Sequence, residues 1–513
     1  MSKKCDELKI LFISINNVWR YGNIGLDQLT GYLREKGFSV DIKYFSNKAL
    51  ETEILNSISY NYDVFGFSVN SSNYSKCCNL AKEIKNTNNN SVIVFGGGYP
   101  TRYYKETLNE NSAVDYIIIG DGEEPTESLF KALCEGKKEV SHSSIATHND
   151  MTDKKDNLNK DILYLPAFDY YENDTKARNS RKVHCIQIKN NVCTGNCSFC
   201  NERHGEIKYK SIDSIINEIK IVHTKYGVKK IFFTDDNILD PNNTYAKEHL
   251  KELCLNIEKL DFKIAFQCYI KAISLNDTQE DRYLLRLMKK VGFVEVFIGL
   301  ESGNQQDLNL YNKHTTVEDN YQIISVLKES ELIPIIGFIS FNPYTTLQQI
   351  TENFEFLCNV ECTYLFNYIY SFVVINKYTP LYQKLLNDDL IINKQDKCIN
   401  IEYKFKNKDV EEILFYIKNE MIPKLNKIEY QLDWVNYSFE EHKIWFDEII
   451  DYSDVLRKYK EEDLFIIKKY LSILFVEHNL EKFRNLENCF WEHFQNRERL
   501  LKPIYQYLIS LHK

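Results

Sequence analysis

Short runs of consecutive apolar residues alternate with stretches of helical spacing through most of the chain. Over the first 130 residues, Leu8–Ile15, Val40–Phe45, Val64–Val69, Val92–Phe95 and Tyr116–Ile119 read as buried strands, with Leu26–Lys36 and Ser75–Lys85 as helices between them. Strands alternating with helices predict a doubly wound α/β domain, a parallel sheet covered on both faces. Residues 135–162 are polar and charged and predict a solvated connector. The pattern resumes with strands at Val183–Ile188, Lys230–Thr234, Ile264–Tyr269, Val294–Leu300, Ile333–Ile339 and Tyr364–Tyr370. Helices are expected among them at Ile212–Tyr226, Gln279–Val291 and Val317–Ser330. Beyond residue 405 the strand signal is lost, and Val410–Met421, Glu440–Ile450, Asp463–Val476 and Leu480–Phe494 have helical apolar spacing. Trp434, Trp445 and Trp491 are expected to pack the core of that helical region.

Length and charge narrow the picture. A chain of 513 residues calls for two or three domains. Its hydrophobic content of 43% is enough for ordinary cores, and no apolar run is long enough to span a bilayer. A net charge of −9 argues against a general nucleic-acid partner. Fourteen cysteines without a secretory signal imply reduced thiols and a cytoplasmic location.

In open α/β sheets ligands bind outside the carboxyl ends of the strands. Here those ends carry Ser68 and Asn70, then Gly96, Gly97, Gly98 and Thr101, then Gly120, Gly122 and Glu123. Glycines allow a ligand to approach the backbone, and hydroxyls bond its polar edge. The plainer reading is tight turns alone. A dinucleotide is disfavoured, because G-x-G-x-x-G does not follow the first strand.

Cys193, Cys197 and Cys200 are spaced C-x3-C-x2-C. An iron–sulfur cube takes four ligands, so three thiolates leave one iron open to a substrate or cofactor. His204 offers the alternative of a Cys3His zinc site, and no second C-x2-C is present. Cys358 and Cys362, four apart, read as buried small residues.

The cysteine spacing, with Phe199 before the last thiol, resembles the signature of the radical SAM superfamily. Gly97–Thr101 followed by Gly120–Glu124 resembles the cobalamin-binding domain that precedes the core in one class of those enzymes. The resemblance implies a [4Fe–4S] cluster on the three cysteines, S-adenosylmethionine on the open iron, and a partial (β/α)6 TIM-like barrel. It implies cobalamin lying across the amino-terminal strand ends, its nucleotide tail inserted beside the sheet. The D-x-H-x-x-G motif is absent, so base-off cobalamin without a protein imidazole is expected, with the loops bearing Trp19 and Asn70 expected at its lower face.

Residue by residue, the resemblance puts Phe199 near the adenine, and Asp235 or Asp236 at the S-adenosylmethionine ammonium. Lys271 is expected at its carboxylate, Glu301 at its ribose with Ser302 assisting, and Phe338 in the cofactor pocket. Domains are expected at 1–135, 176–385 and 386–513, with a linker at 136–175. The last is either a self-contained bundle or a cover over the barrel mouth. The implied function is methylation of an unactivated carbon or phosphorus centre through a 5′-deoxyadenosyl radical and methylcobalamin. Ring formation or rearrangement without methyl transfer is the alternative, and a cobalamin or redox sensor without turnover is a reading of another class. A methylthiotransferase is disfavoured, since residues 1–130 hold only Cys5, Cys77 and Cys78. Partners implied are a small-molecule or peptide substrate and an electron donor such as flavodoxin or ferredoxin, with neither nucleic acid nor membrane.

Overall fold

The computed structural model describes residues 6–16, 22–137, 139–152, 154–156, 164–173, 183–190, 192–201, 205–241, 243–361, 368, 370–392 and 398–512. They form two compact units, Met1–Asn191 with Gly205–Thr234, and Val192–His204 with Asp235–Lys513.

The first unit is built on strands β1 (Lys9–Asn16), β2 (Ser39–Ser46), β3 (Val64–Ser68), β4 (Val92–Gly96), β5 (Tyr116–Ile118) and β6 (Ile145–Ala146), in the order β2-β1-β3-β4-β5-β6. The first five run parallel and β6 is antiparallel to β5. The order reverses between β1 and β3, the switch point at which a doubly wound sheet opens a crevice. Near-continuous burial along β1 and β3 fits strands covered on both faces. In register, Phe12 stands beside Gly66, and a Cβ at Gly66 would come within 2.5 Å of the Phe12 ring. The connector is not wholly solvated as expected. Ile145 and Ala146 are fully buried and extend the sheet by an edge strand. The Ser144 hydroxyl donates to the Lys155 carbonyl (2.9 Å), tying the segment down. Two apolar residues are too few to register as a strand in a hydropathy pattern.

The same unit holds β7 (Val183–Ile186) and β8 (Lys230–Phe233), a parallel pair joined through the helix Ile212–Tyr226. Ser211 caps that helix at its start, accepting from the Ser214 amide, and Gly227, at φ +68°, ends it in the left-handed conformation. The bounds are those the sequence predicts.

In the second unit β9 (Ala265–Lys271), β10 (Phe293–Glu301) and β11 (Ile333–Phe338) run parallel, β10 in the middle. Helices Gln279–Val291 and Val317–Glu329 connect them. The sixth expected strand, Tyr364–Tyr370, lies outside the described residues apart from Tyr368 and Tyr370. Register aligns Tyr269 with Phe297 and Ile335, and one layer further aligns Lys271 with Gly299 and Gly337. The chemistry-bearing layer therefore sits at the carboxyl ends of the strands.

The carboxy-terminal helices are longer than the sequence predicts: Leu432–Trp445, Ser453–Phe475 and Leu480–Ser510. Leu432 and Tyr437 face Ile333, Pro334 and Ile336 across a cavity of about 260 Å³. Those are residues from the start of β11, so these helices brace the amino-terminal ends of the strands, opposite the layer carrying Lys271. For the helices from Leu432 onward, the expected cover over the barrel mouth is thereby corrected. Trp491 is buried as expected, but Trp434 is 56% exposed and packs no core. No helix of the described residues is long and apolar enough to cross a membrane.

Candidate functional site

Cys193, Cys197 and Cys200 are half-buried thiols in the second unit. The loop that carries them is fastened by its backbone. Ser198 donates through its amide to the Tyr311 carbonyl (2.8 Å) and through its hydroxyl to that of Leu310 (2.6 Å), and its own carbonyl accepts from the Leu381 amide (2.7 Å). Asn312 Nδ2 donates to the Asn196 carbonyl (2.7 Å). Lys271, the last residue of β9, donates from Nζ to Thr194 Oγ (2.9 Å), and the Thr194 hydroxyl donates to Asp240 (3.1 Å). A Cβ at Gly195 would stand 3.0 Å from Lys271 Nζ, so the loop passes that ammonium closely.

At the end of β10, pairing with β11 shifts register between Gly299 and Glu301. Glu301 takes φ +68°, a left-handed conformation that costs a non-glycine residue about 1–2 kcal/mol. Such strain concentrates at functional sites. Its carboxylate meets Lys313 Nζ at 2.9 Å, with both side chains largely buried. A Cβ at Gly299 would lie 2.8 Å from Glu301 Oε1 and 3.0 Å from Lys313 Nζ, so the pair occupies the space that residue leaves open. Burial pushes the Cys197 thiol up, opposed chiefly by Lys313 and also by Lys271, while Glu301 and Cys193 add to the rise. Burial works to lower the Lys313 pKa, but Glu301 and the Cys197 and Cys193 thiols outweigh it and hold it above its ordinary value. Cysteines, glutamate and lysines thus share one electrostatic neighbourhood. Lys313 was not singled out from the sequence. It follows the helix Gln305–Leu310, flanked by left-handed Asn312 and His314, and nothing in its local sequence separates it from a solvated lysine.

Of the other expected residues, Ser302 and Phe338 turn away from this neighbourhood, while Phe199 stays within the cysteine loop. Ser302 is fully buried and its hydroxyl is engaged with Asn353 (2.8 Å) and Asp307 (3.1 Å), so it faces away from Glu301 into a structural polar network. Phe338 stacks on Phe356 (6.0 Å, 11°) of the helix Leu347–Asn359, on the face opposite Gly337, and is a core residue. Phe199 packs edge-on against Tyr311 (5.4 Å). Asp235 is buried and adds a little to the rise that burial imposes on the Cys268 thiol, whereas Asp236 is exposed. Among the described residues no three His, Cys, Asp or Glu side chains gather round one point as ligands of a single ion. A cubane, which takes its thiolates on separate irons, asks for a wider spacing and suits the three half-buried thiols. His204 and Cys362 lie outside the described residues.

In the first unit a cavity of about 150 Å³ opens at the ends of β3, β4 and β5. Ser68, Gly96, Gly97, Gly120, Gly122 and Glu123 line it, with Phe12, Leu26, Leu29, Phe67, Val94 and Ile118 as apolar wall. Gly97 has φ +100°, and a Cβ there would stand 2.7 Å from the Val69 carbonyl oxygen. Thr101 lies behind this wall and its Oγ accepts from the Gly120 amide (3.1 Å), bracing the loop. Gly98 opens the short helix Gly98–Arg102. Asn70 is corrected: its side chain accepts from the amides of Ser72 (2.9 Å) and Asn73 (3.2 Å) and closes a turn. Trp19 lies outside the described residues. Thr126, also in the wall, was missed; its hydroxyl is buried without a hydrogen-bond partner. Glycine walls, apolar sides and an unsatisfied polar atom suit a flat heterocyclic group.

Comparison with known proteins finds two family models in the chain. Residues 10–130 match the family model of the B12 binding domain, and residues 188–357 that of the radical SAM superfamily. An uncharacterized methyltransferase of Pyrococcus horikoshii is 24% identical over 353 residues, 66% of this chain and 74% of the relative. An anaerobic magnesium-protoporphyrin IX monomethyl ester cyclase of Rubrivivax gelatinosus is 23% identical over 64% of this chain and 60% of its own. Among solved structures, the cobalamin-dependent S-adenosylmethionine radical enzyme OxsB, with aqua-cobalamin and S-adenosylmethionine bound, superposes with a TM-score of 0.73 at 17% identity, over 99% of this chain and 83% of that one. The radical S-adenosylmethionine methyltransferase TsrM of Kitasatospora setae gives 0.58 at 16% identity, over 74% of this chain and 76% of its own. The chain belongs to the radical SAM superfamily, in the class with an amino-terminal cobalamin-binding domain, and is an enzyme whose cofactors are S-adenosylmethionine, an iron–sulfur cluster and cobalamin.

Proposed function

We propose that the chain methylates an unactivated carbon or phosphorus centre of a small-molecule or peptide substrate. In this reading residues 1–135 bind cobalamin, 176–385 form the radical core after a linker at 136–175, and 386–513 add the helical part. The observation that carries it is the grouping of the Cys193–Cys200 loop with Lys271 and the buried Glu301–Lys313 pair. When bound, the cluster and S-adenosylmethionine supply one-electron cleavage of the sulfonium, and the corrinoid supplies the methyl group. The chain's own residues place and shield. Cys193, Cys197 and Cys200 hold the cluster, and the hydrogen bonds of Ser198 and Asn312 fix the loop that presents them. Lys271 offers a cation to the S-adenosylmethionine carboxylate, an ion pair strengthened in a partly desolvated rim. Glu301 accepts from ribose hydroxyls, and Lys313 offsets the cost of keeping that carboxylate charged while buried. The segments Gly337–Thr346 and Ile375–Pro380 bound the substrate side. The electron comes from an external one-electron donor such as a flavodoxin or ferredoxin.

The relatives named as magnesium-protoporphyrin cyclases favour a second reading, ring formation without methyl transfer. Anaerobically reconstituted protein supplied with methyl-labelled S-adenosylmethionine and candidate substrates separates the two. Label in the product supports methylation. 5′-Deoxyadenosine with an unlabelled, altered product supports cyclisation, and absence of 5′-deoxyadenosine overturns both.

A further inference from the structure

Thr126 lies in the helix Glu123–Cys134 that follows the Gly120–Gly122 loop. It is 2% exposed, and its hydroxyl oxygen is buried with no hydrogen-bond partner. It belongs to the wall of the cavity at the strand ends, and a Cβ at Gly122 would stand 3.6 Å from Thr126 Oγ. A buried hydroxyl without a partner costs about 1–3 kcal/mol. Native chains rarely carry that cost without a use for the group. The neighbouring wall side chains Phe12, Leu26, Leu29, Phe67, Val94 and Ile118 have no polar atom to offer it, and the polar ones, Ser68, Asp121 and Glu123, make no hydrogen bond to it. A ligand seated in the cavity is placed to supply the missing partner.

Resting on the assignment of cobalamin to this domain, we propose that Thr126 is a specificity-determining residue that selects corrinoids whose nucleotide base carries a free ring nitrogen. An apolar cavity of about 150 Å³ is the size that takes a single benzene-like ring, which suits the flat base of the tail. A base detached from cobalt brings a ring nitrogen that has lost its metal partner. Burying that nitrogen among apolar side chains without a donor is costly. The Thr126 O–H donates to it, and one hydrogen bond removes both penalties. A benzimidazole or a purine satisfies this requirement. A phenolic base, attached through its oxygen and lacking a ring nitrogen, leaves the hydroxyl as unsatisfied as in the empty cavity.

The test uses the full chain and three corrinoids bearing dimethylbenzimidazole, adenine or p-cresol, with affinity read from visible absorbance. Wild type is expected to bind both nitrogenous corrinoids about tenfold or more tightly than the cresol form. Thr126→Ser keeps that ratio. Thr126→Val, nearly isosteric and without the hydroxyl, brings it close to one by weakening the nitrogenous corrinoids. A wild-type ratio near one, or a ratio unchanged in Thr126→Val, overturns the proposal while leaving cobalamin binding intact. Failure to bind any of the three overturns the cobalamin assignment beneath it.

Discussion

Glycine serves opposite ends at the two strand-end regions. In the sheet β1–β5 the glycines at residues 96, 120 and 122 border a largely apolar cavity of about 150 Å³, while the space beside Gly66 and Gly97 is taken by the Phe12 ring and the Val69 carbonyl. At the end of β10 the space over Gly299 is already taken, by the Glu301 carboxylate and the Lys313 ammonium. In the proposed reading the first region receives one flat ring of the corrinoid, and the chain keeps side chains out of that space. In that reading the second meets a zwitterionic ligand, and there the chain installs charge and keeps it paired. A glycine at a strand end thus marks close approach, and its neighbours decide whether ligand or protein makes that approach.

The contrast can be broken one region at a time. Cys197→Ala has the largest expected effect: loss of cluster assembly and of 5′-deoxyadenosine formation, with corrinoid binding retained. Iron content, EPR and corrinoid absorbance check it; a variant that still cleaves S-adenosylmethionine sinks the ligand assignment. Lys313→Met leaves Glu301 buried without its cation and should destabilise the protein by roughly 3–5 kcal/mol in urea denaturation. Adding Glu301→Leu should recover much of that loss, and no recovery would refute the pairing argument. Gly97→Ala forces a side chain into a left-handed position against the Val69 carbonyl and should cost about 1–3 kcal/mol and lower corrinoid retention. Cluster content should be unmoved; a fall in iron with unchanged corrinoid would reverse the assignment of that loop. Phe338→Leu should cost about 1 kcal/mol of stability and leave S-adenosylmethionine affinity unaltered in equilibrium binding. A weakened affinity would return Phe338 to the cofactor pocket.

Strand and helix positions were legible because buried parallel strands read as unbroken apolar runs. Helix Gln279–Val291 matches the sequence to the residue, since Thr278 and Gly292 mark its ends. Side-chain direction was harder to read. Ser302 follows the register shift at Gly299–Glu301, and Phe338 sits one residue past Gly337; in both cases one step of parity separates ligand side from core. Asn70 bears a side chain suited to a ligand but equally to an Asx turn, and the backbone took it. Lys313 and Thr126 carry no local signal at all. Their roles come from burial, which depends on segments distant in the chain.

The long helices Leu432–Trp445 and Ser453–Phe475 lie at the rear of β11 and against the helix Leu347–Asn359, with Leu432 facing Ile333 across a cavity and Phe475 packed on Phe354 (5.4 Å). The front is covered instead by the stretch around Val373, Ile375, Leu381 and Tyr403, which packs with Phe199 and Tyr311. A chimera that borrows another relative's last hundred residues should therefore inherit its durability but keep its own choice of molecule to modify. Discrimination would migrate only when the Val373–Tyr403 stretch is exchanged as well.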